Sequence, residues 1–400
     1  IDGAINGMVK ALDPHTSYLP PVNYKEMQVE TTGKFGGLGI EISIRDSVLT
    51  VVSPIEGTPA FKVGIKPLDK IIKIEDESTL DMTLQDAVSR LRGETGSPVN
   101  ITIYRDSFKA PKEFTIVRDI IKVRSVIKKR YKEDIGYIKI RSFSKNTSLD
   151  LDKALSELNA QGITKLIIDL RNNPGGLLNQ AVEVTDRFLN RENLIVYTKG
   201  RSEEQNMRFT SHDKVAGVSY PLIILVNGGS ASASEIVAGA LQDLNRAVIL
   251  GTPTFGKGSV QTIIPLSDGS ALRLTTARYY TPSGRVIQEN GIQPDITIDR
   301  TPVDELKKEG KKEEEPKEKT RLRRFLREKD LKKHLKGKTS IGDVEQESEK
   351  EIVDENAEVA ENVINEDLLK DNQLQQAVSL LSGWAVMKKM FKNLQVPTLN

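Results

Sequence analysis

The apolar residues of this 400-residue chain change period along its length, and each change marks a part. A short amphipathic stretch over residues 5–12 is followed by the turn-like Asp13-Pro14-His15-Thr16-Ser17 and a Pro20-Pro21 stop, which predicts an entry helix and a loop. From Phe35 the texture becomes short alternating runs. Residues 38–44, 48–52, 70–74, 99–104 and 113–117 read as strands, and 59–63 and 84–91 as helices, which makes a small, mostly β module. From Ile135 apolar strands (135–140, 165–170, 221–226, 247–251) alternate with helical patterns (149–161, 177–189, 234–244). Strands separated by helices of that length predict an α/β layer with parallel pairings. Beyond Asp299 the pattern collapses into Lys/Glu-rich sequence, broken by one stripe at Leu322, Phe325, Leu326 and Leu331. Helical periodicity returns over 366–393 through Leu374, Ala377, Leu381 and Trp384, as one amphipathic helix or a pair that needs a partner surface. The expected division is therefore 1–34 (helical entry), 35–117 (β module), 118–300 (α/β core), 301–365 (charged flexible linker) and 366–400 (helical tail).

Composition narrows the chemistry. The chain is 38% hydrophobic and 28% charged, with a formal net charge of +2, so nothing in its overall balance points to a nucleic-acid partner. The charge extremes lie in the tail: residues 301–340 carry 15 Lys+Arg against 9 Asp+Glu, and 341–370 carry 2 against 11. Zero cysteines exclude a disulfide framework, thiol catalysis and Cys-ligated zinc, and the three histidines, His15, His212 and His334, are too scattered for a His-rich metal site. No metal and no organic cofactor is expected. The longest apolar runs, 221–226 and 247–250, fall far short of the roughly 20 residues of a spanning helix, no charged-then-apolar leader opens the chain, and Ile1 reads as a trimmed start.

Three segments could carry a reaction. Asn227-Gly228-Gly229-Ser230-Ala231-Ser232-Ala233-Ser234-Glu235 joins a buried strand to a helix, where a tight glycine turn presents a side chain beside free backbone N–H groups. It suits a serine nucleophile, although Ser232 and Glu235 equally satisfy the S-x-x-E capping box. Thr254-Phe255-Gly256-Lys257-Gly258-Ser259-Val260-Gln261 offers Lys257 as a base, provided it is neutral, which requires its pKa to fall about three units from roughly 10.4. Residues 252–262 contain no Asp or Glu that would hold the lysine charged, and Gln261 could hold its amine by a neutral hydrogen bond. The rival, a phosphate-binding loop, matches Gly251, Gly256 and Lys257 but has Gly258 where Ser/Thr is required. Asp169-Leu170-Arg171-Asn172-Asn173-Pro174-Gly175-Gly176 also ends a strand, and its glycine N–H groups could hold an oxyanion, or simply turn the chain. His212 sits in a polar loop and is given no role.

In this order the three segments resemble the carboxy-terminal processing (tail-specific) serine peptidases, a similarity running from about residue 1 to 299. The resemblance implies a ClpP/crotonase-like α/β core with an inserted β-rich PDZ domain and a charged, partly helical C-terminal tail. It implies a Ser/Lys dyad in which Ser232 is the nucleophile and Lys257, 25 residues later, the base, with Gln261 orienting the lysine. An oxyanion hole is implied from the N–H of Ala233 and of either Gly175 or Gly176. Phe35-Gly36-Gly37-Leu38-Gly39-Ile40 resembles the PDZ loop that captures a terminal carboxylate, so Gly37, Leu38, Gly39 and Ile40 are expected to bind peptide. Leu68 replaces the usual glycine of a Pro-Gly-Asp turn, and Arg92 matches a position that couples ligand to active site in some relatives. The expected substrates are proteins with apolar C-termini in the periplasm or another exported compartment. A second copy or an adaptor would dock on the C-terminal helices, with the membrane nearby. The alternatives are a non-catalytic PDZ scaffold and an acyl-CoA enzyme on a crotonase-like fold.

Overall fold

The computed structural model describes residues 2–45, 47–132, 134–212, 220–300, 327–331 and 371–393. It divides into two compact units, Ile1–Met27 with Ser125–Asn400, and Gln28–Arg124. Most of the stretch expected as a linker, with Leu322, Phe325 and Leu326, lies outside the described residues, as do 366–370 at the start of the expected helical tail. Residues 327–331 are the exception. They are docked: Glu328, at the head of a 3₁₀ turn Glu328–Asp330, is fully buried, so a flexible reading fails for this piece.

The larger unit is built on a six-stranded sheet in the order Val126–Tyr131, Ile135–Ile140, Lys165–Asp169, Leu222–Val226, Val248–Gly251, Ile296–Thr297. Its first pair is antiparallel and the rest are parallel. Parallel strands need crossovers, and the helices Thr147–Ala160, Leu178–Asp186 and Ala233–Asp243 supply the cover for one face. Alternation along each strand assigns the faces: Ile138, Ile140, Ile168, Ile224 and Val226 pack with Leu151, Leu155, Val184 and Val237 from these helices. Tyr137, Ile167, Ile223, Leu225 and Leu250 point the other way, where Leu374, Ala377, Val378 and Leu381 meet them. Among the described residues the C-terminal part forms one helix, Asn372–Asn393, and its apolar stripe packs on the chain's own sheet. Trp384 and Val386 remain exposed further along it.

A buried ionic knot fixes that helix. Asp169 is wholly buried, and its carboxylate takes the Arg171 guanidinium at 2.6 Å and the Tyr137 hydroxyl at 2.7 Å. Arg171 continues to Asp371 at 2.7 Å and to Gln373 at 3.0 Å, at the start of the helix. Burial works against ionisation of Asp169, but Arg171 overrides it and holds the carboxyl below the usual carboxylate range. A second sheet pairs Ser17–Leu19, Ala271–Tyr280, Leu194–Gly200 and Arg208–Thr210, with Ser259–Pro265 also on Ala271–Tyr280. Among the described residues no helix is long and apolar enough to cross a membrane.

The smaller unit holds a sheet in the order Ile40–Arg45, Val48–Pro54, Lys70–Ile74, Pro98–Tyr104, Lys112–Val117, closed over a core of Leu38, Val51, Ile71, Ile101 and Ile103. Ile40–Arg45 is an edge strand, with helix Leu84–Leu91 packed beside it. Leu68 does adopt the left-handed turn (φ 69°) that normally favours glycine; Asp69, next to it, is buried against Arg105 at 2.6 Å. Lys34–Gly37 pairs with Asp119–Lys122, and the Arg118 side chain is hydrogen-bonded to Arg90, Leu91, Ser97 and Pro98. The smaller unit thus extends beyond 35–117 at both ends.

Candidate active site

The topology brings the three candidate segments together. Lys165–Asp169, Leu222–Val226 and Val248–Gly251 are consecutive parallel neighbours, and each runs directly into one segment at its carboxyl end. Loops at the carboxyl ends of adjacent parallel strands are where open α/β sheets build sites. Asparagines stitch two of the loops: the Asn172 N–H donates to Asn227 Oδ1 at 2.9 Å, and the Asn227 amide donates to Asn172 Oδ1 at 2.7 Å. The Ala231 N–H reaches Asn173 O at 3.0 Å, and the Phe255 N–H reaches Ser230 O at 3.1 Å, so the third loop is tied in as well.

Within 230–234 the three serines differ. The Ser230 hydroxyl, fully buried, donates to Leu170 O at 2.8 Å, and the Ser234 hydroxyl, also fully buried, donates to Asn173 O at 2.9 Å. Both are spent on backbone. Ser232 is only partly buried, sits at the N-cap of Ala233–Asp243 with φ 54° and ψ −111°, and makes no side-chain cap hydrogen bond. A non-glycine residue held at positive φ on a strand-to-helix turn is strained, and such strain persists only where surrounding bonds over-determine it.

The main restraint is Glu235, a residue read from sequence only as half of a capping box. Its carboxylate is fully buried and takes four donors: Oε2 accepts the Ser232 N–H at 2.8 Å and the Lys257 N–H at 2.9 Å, and Oε1 accepts the Gly256 N–H at 2.7 Å and the Thr254 hydroxyl at 2.5 Å. Because one oxygen holds both, the backbone nitrogens of Ser232 and Lys257 lie within about 6 Å of each other. Burial outweighs the four donors and pushes the Glu235 carboxyl up to about 7.

Lys257 is partly buried, and its amine has a lowered pKa, first because burial penalises the charged form and second because Arg273 repels it. Glu328, Glu235 and Asp13 act in the opposite direction. The carboxylate-free window of the sequence is therefore corrected: the acids come from other parts of the chain, and desolvation wins against them. Gln261 is not hydrogen-bonded to Lys257; its amide nitrogen donates to Ser259 Oγ at 2.7 Å.

Of the two glycines, Gly175 (φ 102°) faces the serine. A Cβ built on it would lie 2.9 Å from Ser232 Cβ and 3.0 Å from the Ala233 nitrogen, whereas one on Gly176 (φ 143°) would meet Phe143 O at 2.3 Å. The Gly175 N–H itself donates to Asn173 Oδ1 at 2.9 Å. His212 is exposed and held through its backbone N–H by Asp186, apart from these contacts. His15, unassigned in sequence, joins Glu328 at 2.7 Å. In the smaller unit the Arg92 guanidinium stacks over Phe35, 4.5 Å from the ring centroid, and the Gly93 N–H donates to Gly36 O, so Arg92 abuts the loop leading to Gly37, Leu38, Gly39 and Ile40.

Glu235 gives a test of this framework. Its raised value means that the folded protein keeps a proton the unfolded chain has lost, so its stabilising contribution is complete below about pH 4.5 and is lost as pH rises through about 7. Relative to Glu235→Gln, the wild type should lose on the order of 3 kcal/mol across that window in urea unfolding. Parallel pH dependences for the two proteins would refute it. Glu235→Ala leaves four buried donors unmatched and should cost several kcal/mol.

Comparison with known proteins identifies the family. Residues 134–298 match the model of peptidase family S41, and residues 36–116 match that of the PDZ domain. The carboxy-terminal-processing protease of Bartonella bacilliformis is 51% identical over 304 residues, covering 75% of this chain and 70% of its own. The carboxyl-terminal-processing protease of Synechocystis sp. is 39% identical over 304 residues, covering 74% and 70%. Among solved structures, a photosystem II D1 C-terminal processing protease aligns at 31% identity over 74% of this chain and 81% of its own, with a TM-score of 0.46. With half of its residues shared with one such protease across three quarters of its length, the chain belongs to the carboxy-terminal-processing proteases of family S41 and is a serine peptidase with a PDZ domain and protein substrates.

Proposed function

We propose that the chain cleaves unfolded or tail-exposed proteins with a Ser232/Lys257 dyad. The observation that carries the reading is the contrast among the three serines: Ser230 and Ser234 are locked onto buried backbone carbonyls, while Ser232 has no such bond and shares the Glu235 Oε2 anchor with Lys257. The neutral Lys257 amine takes the proton from Ser232 Oγ as the oxygen attacks the peptide carbonyl. Lys257 then protonates the leaving amine, and water, activated by the same lysine, releases the acyl group from Ser232. Backbone N–H groups stabilise the tetrahedral oxyanion. Ala233 supplies one; Gly176 supplies the other, because the Gly175 N–H is engaged by Asn173 while the Gly175 Cα leaves room beside Ser232. Gln261, whose amide nitrogen is satisfied by Ser259, has its carbonyl oxygen left to orient the lysine amine.

Ser232→Ala and Lys257→Ala are each expected to lower kcat on an unfolded protein by at least about 10³-fold while melting like the wild type. Gln261→Ala should lose less. Since the base must be neutral and its value is depressed, kcat should rise with pH through a range below the ordinary lysine value. An active Ser232→Ala with an inactive Ser230→Ala or Ser234→Ala would move the nucleophile.

The PDZ domain recruits apolar C-termini by strand addition to the free edge of Ile40–Arg45, with the carboxylate at the N–H groups of 37–40. Peptide binding there favours the active arrangement of the protease, with Arg92 reporting occupancy through Phe35. A short apolar peptide added in trans should therefore raise cleavage of a tail-less substrate, and Arg92→Ala should weaken the effect. Inhibition confined to tailed substrates would reduce the domain to a tether.

A further inference from the structure

Lys257 is gripped from a second side. The turn Glu328–Asp330 comes from the most basic part of the chain, yet its Glu328 side chain is completely buried in the larger unit. The two carboxylate oxygens meet His15 Nε2 at 2.7 and 2.8 Å, and Oε1 accepts the Gln288 amide at 2.8 Å. The Glu328 N–H donates to Phe255 O at 3.0 Å, and Gln288 Oε1 accepts the Gly258 N–H at 2.9 Å. The loop is thus held at Phe255 and Gly258 from the Glu328 side, and at Gly256 and Lys257 from the Glu235 side. His15 belongs to the same arrangement: Arg273, the cation beside Lys257, donates to His15 O at 3.2 Å. A carboxylate is a costly choice for a mere plug, because an apolar side chain would fill the space without desolvation.

We infer that Glu328 is a positioning residue of the protease: its side chain, bonded to His15 and Gln288, seats the turn whose N–H holds Phe255 and the glutamine that holds Gly258, and so sets the loop that presents Lys257. The inference rests on Lys257 being the base. Two consequences differ from those of a structural plug. Removing the Glu328 side-chain contacts to His15 and Gln288 should unseat the turn and let the amine wander from Ser232, and a misplacement of about 1 Å can cost as much as 10²-fold in rate. Removing only its negative charge should ease deprotonation of the lysine. The charged groups acting on Lys257 are Arg273, which lowers its pKa, and Glu328, Glu235 and Asp13, which raise it, so loss of Glu328 alone leaves the balance lower.

The test uses the full chain carrying Glu328→Ala, Glu328→Gln or Lys257→Ala, with kcat and KM measured from pH 5 to 10 on an unfolded, tail-less substrate. The pH dependence of fluorophosphonate labelling is followed as a second readout. Glu328→Ala should lower kcat by about 10-fold or more with KM changed less than about twofold. Glu328→Gln keeps an oxygen for Gln288, so it should recover most of the rate at high pH, with the acidic limb of both profiles shifted to lower pH. Unchanged kcat and limbs in both Glu328 variants would overturn the inference. So would losses that track only the folded fraction with the limbs unmoved. A fully active Lys257→Ala would overturn the assignment of the base itself, and this inference with it.

Discussion

One buried carboxylate organises the candidate active site. Glu235 Oε2 accepts the backbone N–H groups of Ser232 and Lys257, which come from loops after two different strands, and Oε1 secures the turn between Thr254 and Gly256. That bridge adds to the backbone bonds from Phe255 to Ser230 and from Ala231 to Asn173 in holding the loops together. Because all four donors converge on one fully buried group, the protein tolerates the desolvation that pushes Glu235 up to about 7. The carboxylate holds the backbone of Ser232 and of Lys257, the proposed nucleophile and base, so its effect on the proposed chemistry is geometric.

The sheet makes such a bridge possible. Three consecutive parallel strands end at the same edge, and their loops are cross-linked by Asn172, Asn173 and Asn227. The core behind them is covered on both faces, by three crossover helices on one and by the helix Asn372–Asn393 on the other. The Asp169–Arg171–Asp371 knot couples this second cover to the residues leading into Gly175 and Gly176. Both the C-terminal helix and the Glu328 turn therefore reach the loops of the candidate site from beyond residue 300.

Much of this was legible in sequence because it is written locally. Alternation gave the strands, the glycine- and serine-rich turns marked the loop ends, and the order of three segments identified the family. What stayed hidden depends on contacts between distant residues. The dual use of Glu235 looked like an ordinary helix cap, since its second partner, Lys257, lies 22 positions away. Glu328 was lost in a Lys/Glu-rich stretch whose composition argues against burial, and its partner His15 is 313 positions distant. The window of 252–262 suggested a lysine free of acids, whereas the folded chain surrounds it with three and still depresses its value by burial. Gly175 and Gly176 were inseparable until their neighbours, Ser232 for one and Phe143 for the other, were in place.

The account stands on a lysine kept poised for proton transfer by its surroundings, and titrating that amine measures this directly. In protein labelled with ¹³Cε-lysine, the Lys257 resonance is assigned by its loss in Lys257→Arg and followed as pH is raised. The structure predicts a midpoint clearly below the ordinary lysine value of about 10.4. A Lys257 that titrates at or above that value would contradict it.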